Sequence, residues 1–215
     1  MIARALALTA LTALGTAALT GCVRIGPMTT ETPDLPDLEE VTAVVLDTGG
    51  DLVIVEGEPG LTIHAPAGVL DRLTSTIDDG VLELGQRGGP FFFGGDVRYE
   101  LSVPDLESIE VNGSGDVEAT ASGGAVRISI NGSGDVEITG TADSLDVEID
   151  GSGEVDADDL PVGDAVVGIS GSGDVRVYAT GTLDVDISGS GTVTHRGGAT
   201  VTSDISGSGS VDADD

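Results

Sequence analysis

Asn131-Gly132-Ser133-Gly134-Asp135-Val136 decides how this chain is read, because its pattern returns along the sequence at a nearly fixed interval. Gly-Ser-Gly occurs six times, starting at Gly113, Gly132, Gly151, Gly171, Gly189 and Gly207, with spacings of 19, 19, 20, 18 and 18 residues. The flanks repeat too. Val111, Ile130, Ile149, Ile169, Ile187 and Ile205 stand two residues before the first glycine. Between them and the glycine come Asn112, Asn131, Asp150, Ser170, Ser188 and Ser206, all short hydrogen-bonding side chains. Val117, Val136, Val155, Val175, Val193 and Val211 follow two residues after the second glycine. A repeat this regular sets the architecture before any local propensity does.

Each unit alternates around its corner. Leu145, Val147 and Ile149 fall on one side and Asp146, Glu148 and Asp150 on the other; Val155 and Ala157 then continue the apolar side. Period 2 is the signature of a half-buried strand. Each unit therefore reads as strand, Gly-Ser-Gly turn, strand, second turn. No helical period occurs from 97 to 215. Glycine enters a tight corner at positive φ at low cost. If coils stack about 4.8 Å apart, missing Cβ atoms also let successive corners nest. The short polar residue before each corner is suited to capping its backbone. A coil of this length has a thin interior, which matches aromatics at only 2% of the chain. These points predict an all-β fold, a β-solenoid resembling a parallel β-helix, with six coils spanning roughly 29 Å. An antiparallel sandwich would also alternate, but would not need identical corners at a fixed period.

The corners Asn131 to Val136 and Ser170-Gly-Ser-Gly-Asp-Val175 resemble those of the family called putative auto-transporter adhesin, head GIN domain. So do Ser188-Gly-Ser-Gly-Thr-Val-Thr194 and Ile205-Ser-Gly-Ser-Gly209. The resemblance spans roughly 42 to 211. It implies a repetitive β-helix-like fold, frequent lipoprotein status and an adhesin-like role, and it brings no catalytic residues. The chain departs from that pattern in its acidity and carries no autotransporter translocation barrel.

Upstream, Thr48-Gly49-Gly50-Asp51-Leu52 echoes the corners. Leu61 to His64, Val81 to Leu84 and Val97 to Val103 read as strands, and Pro66 to Ile77 as a short helix or loop. This stretch is expected to cap the solenoid or form degenerate repeats, since a bare first coil would expose a sheet edge. Residues 23 to about 40, with Pro27, Pro33 and Pro36 among Thr and acids, read as a tether.

The N-terminus reads as a processing signal. Arg4 precedes an apolar run from Ala5 to Ala18 that is too short for a membrane span. It ends in Leu19-Thr20-Gly21-Cys22, which resembles a bacterial lipobox: cleavage between Gly21 and Cys22, with acylation (palmitate or a similar chain) of the thiol. Two or more acyl chains anchor a protein stably where one is marginal. The other reading is an ordinary secretory signal with an incidental cysteine. Cys22 is the only cysteine, so no intramolecular disulfide forms. The expected division is thus 1–21 lipoprotein signal peptide, 22–40 acylated Cys and flexible tether, 41–103 N-terminal β cap or degenerate repeats, and 104–215 solenoid. The expected location is the extracytoplasmic face of a membrane or the cell surface.

The 215-residue chain carries 38 acids against 8 basic residues, all arginine, a formal charge of −30. Such a surface repels nucleic acids and anionic headgroups and attracts cations or basic partners. It also serves simply as a solubilising coat. Asp116, Asp135, Glu154 and Asp174 form one column after the corner, followed by Thr192 and Ser210. Carboxylates stacked about 5 Å apart repel by about 0.8 kcal/mol per pair even in water. One reason to keep such a ladder is Ca²⁺, a cofactor that takes carboxylate oxygens. The other is that each carboxylate accepts backbone N–H bonds at its own turn.

His64 and His195 are the only histidines. His195 falls in the inward column with Ala119, Ile138, Ala157, Val177 and Ala213 and reads as core filling rather than a base. No Gly-x-Ser-x-Gly elbow and no phosphate-binding glycine loop occurs. Phe91, Phe92 and Phe93 hold every phenylalanine in one glycine loop, either a contact patch or a plug over the solenoid's end. The expected function is a non-catalytic binding, adhesin-like or structural module with a surface glycan or protein ligand. A cell-envelope sensor or stress-response component binding cationic peptide or another envelope protein is the second class. A carbohydrate-active enzyme is the third.

Overall fold

The computed structural model describes residues 27–88 and 97–214. Its first part is β1 (Met28–Glu31), β2 (Ala43–Leu46), β3 (Asp51–Glu56), β4 (Gly60–Pro66), a one-turn α1 (Ala67–Leu70), β5 (Leu73–Asp78), β6 (Val81–Gln86) and β7 (Arg98–Val103). The repeats supply β8 (Ser108–Gly113), β9 (Val117–Ser122), β10 (Ala125–Gly132), β11 (Asp135–Thr141), β12 (Ser144–Gly151), β13 (Glu154–Gly171), β14 (Asp174–Gly189), β15 (Thr192–Arg196), β16 (Thr200–Gly207) and β17 (Ser210–Ala213). β13 and β14 each run through their second bend unbroken, so one strand serves two faces. The strand before each corner stacks parallel on its counterpart one coil away, and so does the strand after it. The result is the β-solenoid that the repeat predicts, with its six coils in register.

The inward columns make the core. Val111, Ile130, Ile149, Ile169 and Ile187 are buried, as are Val117, Val136, Val155, Val175 and Val193. Burying each such side chain contributes about 1.5–3 kcal/mol. In the last coil the outer side is unpaired, and Val201 and Ile205 remain 36% and 39% exposed.

The corners show why both glycines recur. At Gly132 φ is +150°, and a Cβ there would lie 2.2 Å from the carbonyl oxygen of Gly113. At Gly134 a Cβ would lie 2.3 Å from the Gly115 oxygen. The serine between them needs no such allowance. Its N–H donates to the preceding corner, Ser133 to Gly113 at 2.8 Å and Ser152 to Gly132 at 2.9 Å, so the ladder of hydrogen bonds continues around the bend. The residue before the corner differs from expectation. Asn131 Nδ2 donates to Asn112 Oδ1 at 2.9 Å, and Asn112 Nδ2 to Asp47 Oδ1 at 2.8 Å. These side chains link neighbouring coils instead of capping their own corner, because the same residue one coil away is the nearer partner.

The N-terminal part continues the stack in a different order from the chain. β2–β3 turns through Thr48-Gly49-Gly50 and lies parallel on β8–β9. β6–β7 lies parallel on the other side of β2–β3. β4 and β5 then close the end, antiparallel to β7 and β6. The stretch 41–103 is thus two further coils plus a reversed cap. β1 pairs antiparallel with β4, and Leu38, in a single 3₁₀ turn at Leu38–Glu40, is buried. From Met28 onward, the segment expected as tether lies against the cap.

Candidate functional surface

The outward columns carry most of the chain's polar chemistry. In the expected ladder, Asp116 Oδ1 accepts the N–H of Asp135 at 3.4 Å, and Asp135 Oδ1 that of Glu154 at 3.0 Å. Asp174 Oδ1 accepts the N–H of Thr192 at 3.0 Å. Each aspartate therefore serves the next coil's backbone, where its own turn was expected. One oxygen per aspartate is thereby committed, which offsets the repulsion within the column. Among the described residues no group of three or more His, Cys, Asp or Glu side chains converges to hold a metal ion. The four ladder carboxylates stand one per coil.

Arginines neutralise some acids across coils. Arg127 pairs with Asp146, and Arg176 with Glu154 and, at 3.2 Å, Asp156. The hydrogen bonds to Asp146 and Glu154 respectively, then their charges, hold both guanidiniums above their ordinary range. Arg196 lies 4.7 Å from the Tyr178 ring centroid and reaches Asp158 and, at 3.3 Å, Asp159. Both contacts bind the coil holding Arg196 to Asp158 and Asp159, 38 and 37 residues earlier in the chain. Glu148, Asp150, Asp184 and Asp186 are exposed and make no hydrogen bond or ion pair among the described residues.

His195 sits in the inward column, in register with Val177 and Ala213. Its Nδ1 is buried without a hydrogen-bond partner. An open cavity of about 390 Å³ beside it is lined by Tyr178, His195, Arg196, Gly197, Gly198, Ala213 and Asp214. His64 lies apart, bonded to Thr30 at 3.0 Å and 3.6 Å from Glu100. The two histidines are thus on different coils, each beside structural neighbours. Tyr99, in β7, is fully buried; burial pushes its phenol up, and Thr48 offsets part of that. Gly21, Cys22 and Phe91, Phe92 and Phe93 lie outside the described residues. No helix among the described residues is long and apolar enough to cross a membrane.

One outward feature escaped the sequence reading. Val166 is 54% exposed, and Gly168 follows it on the same face, between acidic coils. The signal was present as Val166-Val167-Gly168, which breaks the polar–apolar alternation kept by the neighbouring repeats.

Solved structures share this architecture. A putative adhesin from Bacteroides fragilis superposes with a TM-score of 0.69 at 18% identity, covering 87% of this chain and 97% of that one. A putative lipid binding protein from Parabacteroides distasonis gives 0.53 at 20% identity over 88% of this chain and 98% of that one. A putative adhesin from Parabacteroides merdae gives 0.52 at 20% identity over 88% and 97%. At these identities the likeness is one of fold. No curated protein matches the sequence. The family model described as putative auto-transporter adhesin, head GIN domain, matches residues 41–199, and the chain belongs to that family.

Proposed function

We propose that this chain is a lipid-anchored, extracytoplasmic binding module, adhesin-like or structural, and that it has no catalytic role. Membership of an adhesin-described family over 41–199 carries the reading. The outward lattice supports it: long straight columns of side chains suit contact with an extended or repetitive ligand. The anchor rests on Leu19-Thr20-Gly21-Cys22. Acylated Cys22 holds the solenoid at the membrane surface, with the linker before Met28 as the spacer. Fractionation tests this part. The wild-type chain is expected with membranes and Cys22→Ala in the soluble fraction; a Cys22→Ala chain that stays with membranes overturns the anchor.

A second reading, an envelope sensor that binds a cationic peptide or another envelope protein, is favoured by the exposed acids Asp184 and Asp186, which make no hydrogen bond or ion pair among the described residues. Preference for basic peptides over glycans in a binding assay separates it from an adhesin. A carbohydrate-active enzyme would instead show turnover of a polysaccharide.

A further inference from the structure

On the face formed by the strands before the corners, one coil differs from its neighbours. After Asp164, which bonds to Thr182 on the next coil, its outward residues are Val166, Gly168 and Ser170, with no charge. The coil on one side presents Asp146, Glu148 and Asp150 in register with them. The coil on the other presents Asp184, Asp186 and Ser188. The uncharged segment Val166–Ser170 is therefore the floor of a strip, and carboxylates stand along both edges about 10 Å apart, two strand spacings.

The fold does not require this floor. A Cβ on Gly168 would meet nothing nearer than the Val147 oxygen at 3.9 Å, and its φ is not positive. The corner glycines, in contrast, are dictated by contacts of 2.0–2.2 Å at their first position from Gly132 onward. Glycine inside a strand also costs about 0.5–1 kcal/mol relative to alanine. Val166 is apolar where the aligned residues of the flanking coils are Asp146 and Asp184. Strand propensity and the avoidance of a third stacked carboxylate suit Val166, but stability does not explain Gly168, which points to a surface shaped for contact.

We propose that this strip binds an extended basic peptide segment lying along the Val166–Ser170 strand. Residues at i and i+2 of an extended chain project to the same side about 7 Å apart, the spacing that separates Val166 from Gly168 along their own strand. A Lys or Arg at i lays its aliphatic stem over Val166, and its charged head reaches Asp184. Arg127 already holds Asp146 from the far side. A second basic residue at i+2 enters the gap left by Gly168, between Glu148 and Asp186. Charge complementarity fixes the class of partner, and side-chain alternation fixes its spacing. The inference rests on the reading of this chain as a surface binding module.

The test uses the Cys22→Ala chain and a fluorescent eight-residue peptide of alternating Lys and Thr, followed by anisotropy in 150 mM NaCl. D184N/D186N is expected to weaken binding about tenfold and G168V by a similar factor, whereas E118Q/E137Q, an equal charge loss on the other face, changes it less than about twofold. Melting temperatures show that G168V is folded. No binding by the parent chain overturns the proposal. So does equal weakening by both charge pairs, or an unchanged affinity in folded G168V; either result assigns the peptide to the general acidic field. A chain that captures a glycan but ignores the peptide overturns the strip and leaves the module reading in place.

Discussion

Replacing Gly151 by alanine tests the stacking of corners at one atom. Its φ is +146°, and the new Cβ would lie 2.1 Å from the Gly132 oxygen and 3.0 Å from its carbonyl carbon. Backbone strain for a side-chain-bearing residue in such a region is about 1–3 kcal/mol. The overlap adds to it, because the Gly132 carbonyl also accepts the Ser152 N–H at 2.9 Å and cannot move without loosening that bond. A total of about 3–5 kcal/mol is expected, near the upper end for single substitutions. For a chain of this size that is a fall in Tm of roughly 6–20 °C. Gly168→Ala, outside any corner, is the control and should hold or raise Tm. Thermal unfolding followed by circular dichroism reads both. Equal Tm values for Gly151→Ala and the parent chain would refute the claim that corner glycines are required by the coil above and below.

Other outcomes follow from burial and charge. Ile149→Ala should cost about 2–5 kcal/mol, because the side chain is fully buried; Ile205→Ala, at a site 39% exposed, should cost under about 1 kcal/mol, and urea titration compares them. The raised Tyr99 phenol binds its proton more tightly when folded. Its contribution is therefore complete below the ordinary phenol range of about 10 and is lost as pH climbs through the raised value. Tyr99→Phe should remove that alkaline loss, seen as a flatter Tm profile above pH 10. Added NaCl should raise Tm, since a charge of −30 repels itself and salt screens it; a Tm that falls with salt would show that cross-coil ion pairs outweigh the repulsion.

The repeated half of the fold was legible because one constraint dominates it. A corner that stacks on its own copy must be glycine at two fixed positions, and the valine and isoleucine columns then follow with period 2. The order of the N-terminal coils was not legible. The alternation in Ala43–Leu46 and Val81–Gln86 marks strands but does not say that β6–β7 slots between β2–β3 and the reversed β4–β5. That placement depends on pairing between segments far apart in sequence. The same limit applies to side chains. In sequence Asn131 and Asp135 stand nearest their own turn, whereas stacking brings the next coil's groups within bonding distance. The Val166–Gly168 strip is visible only once register shows which acids stand beside it.

The most direct test of the central claim is a binding screen of the lipid-free chain beginning at residue 23, which omits Cys22 and keeps β1. It is run against surface glycans, cell-wall fragments and basic peptides, with and without Ca²⁺. The account predicts saturable binding to at least one of these classes with the ligand recovered chemically unchanged. Turnover of any ligand would contradict it; no saturable binding to any class would contradict the binding role and leave a structural spacer.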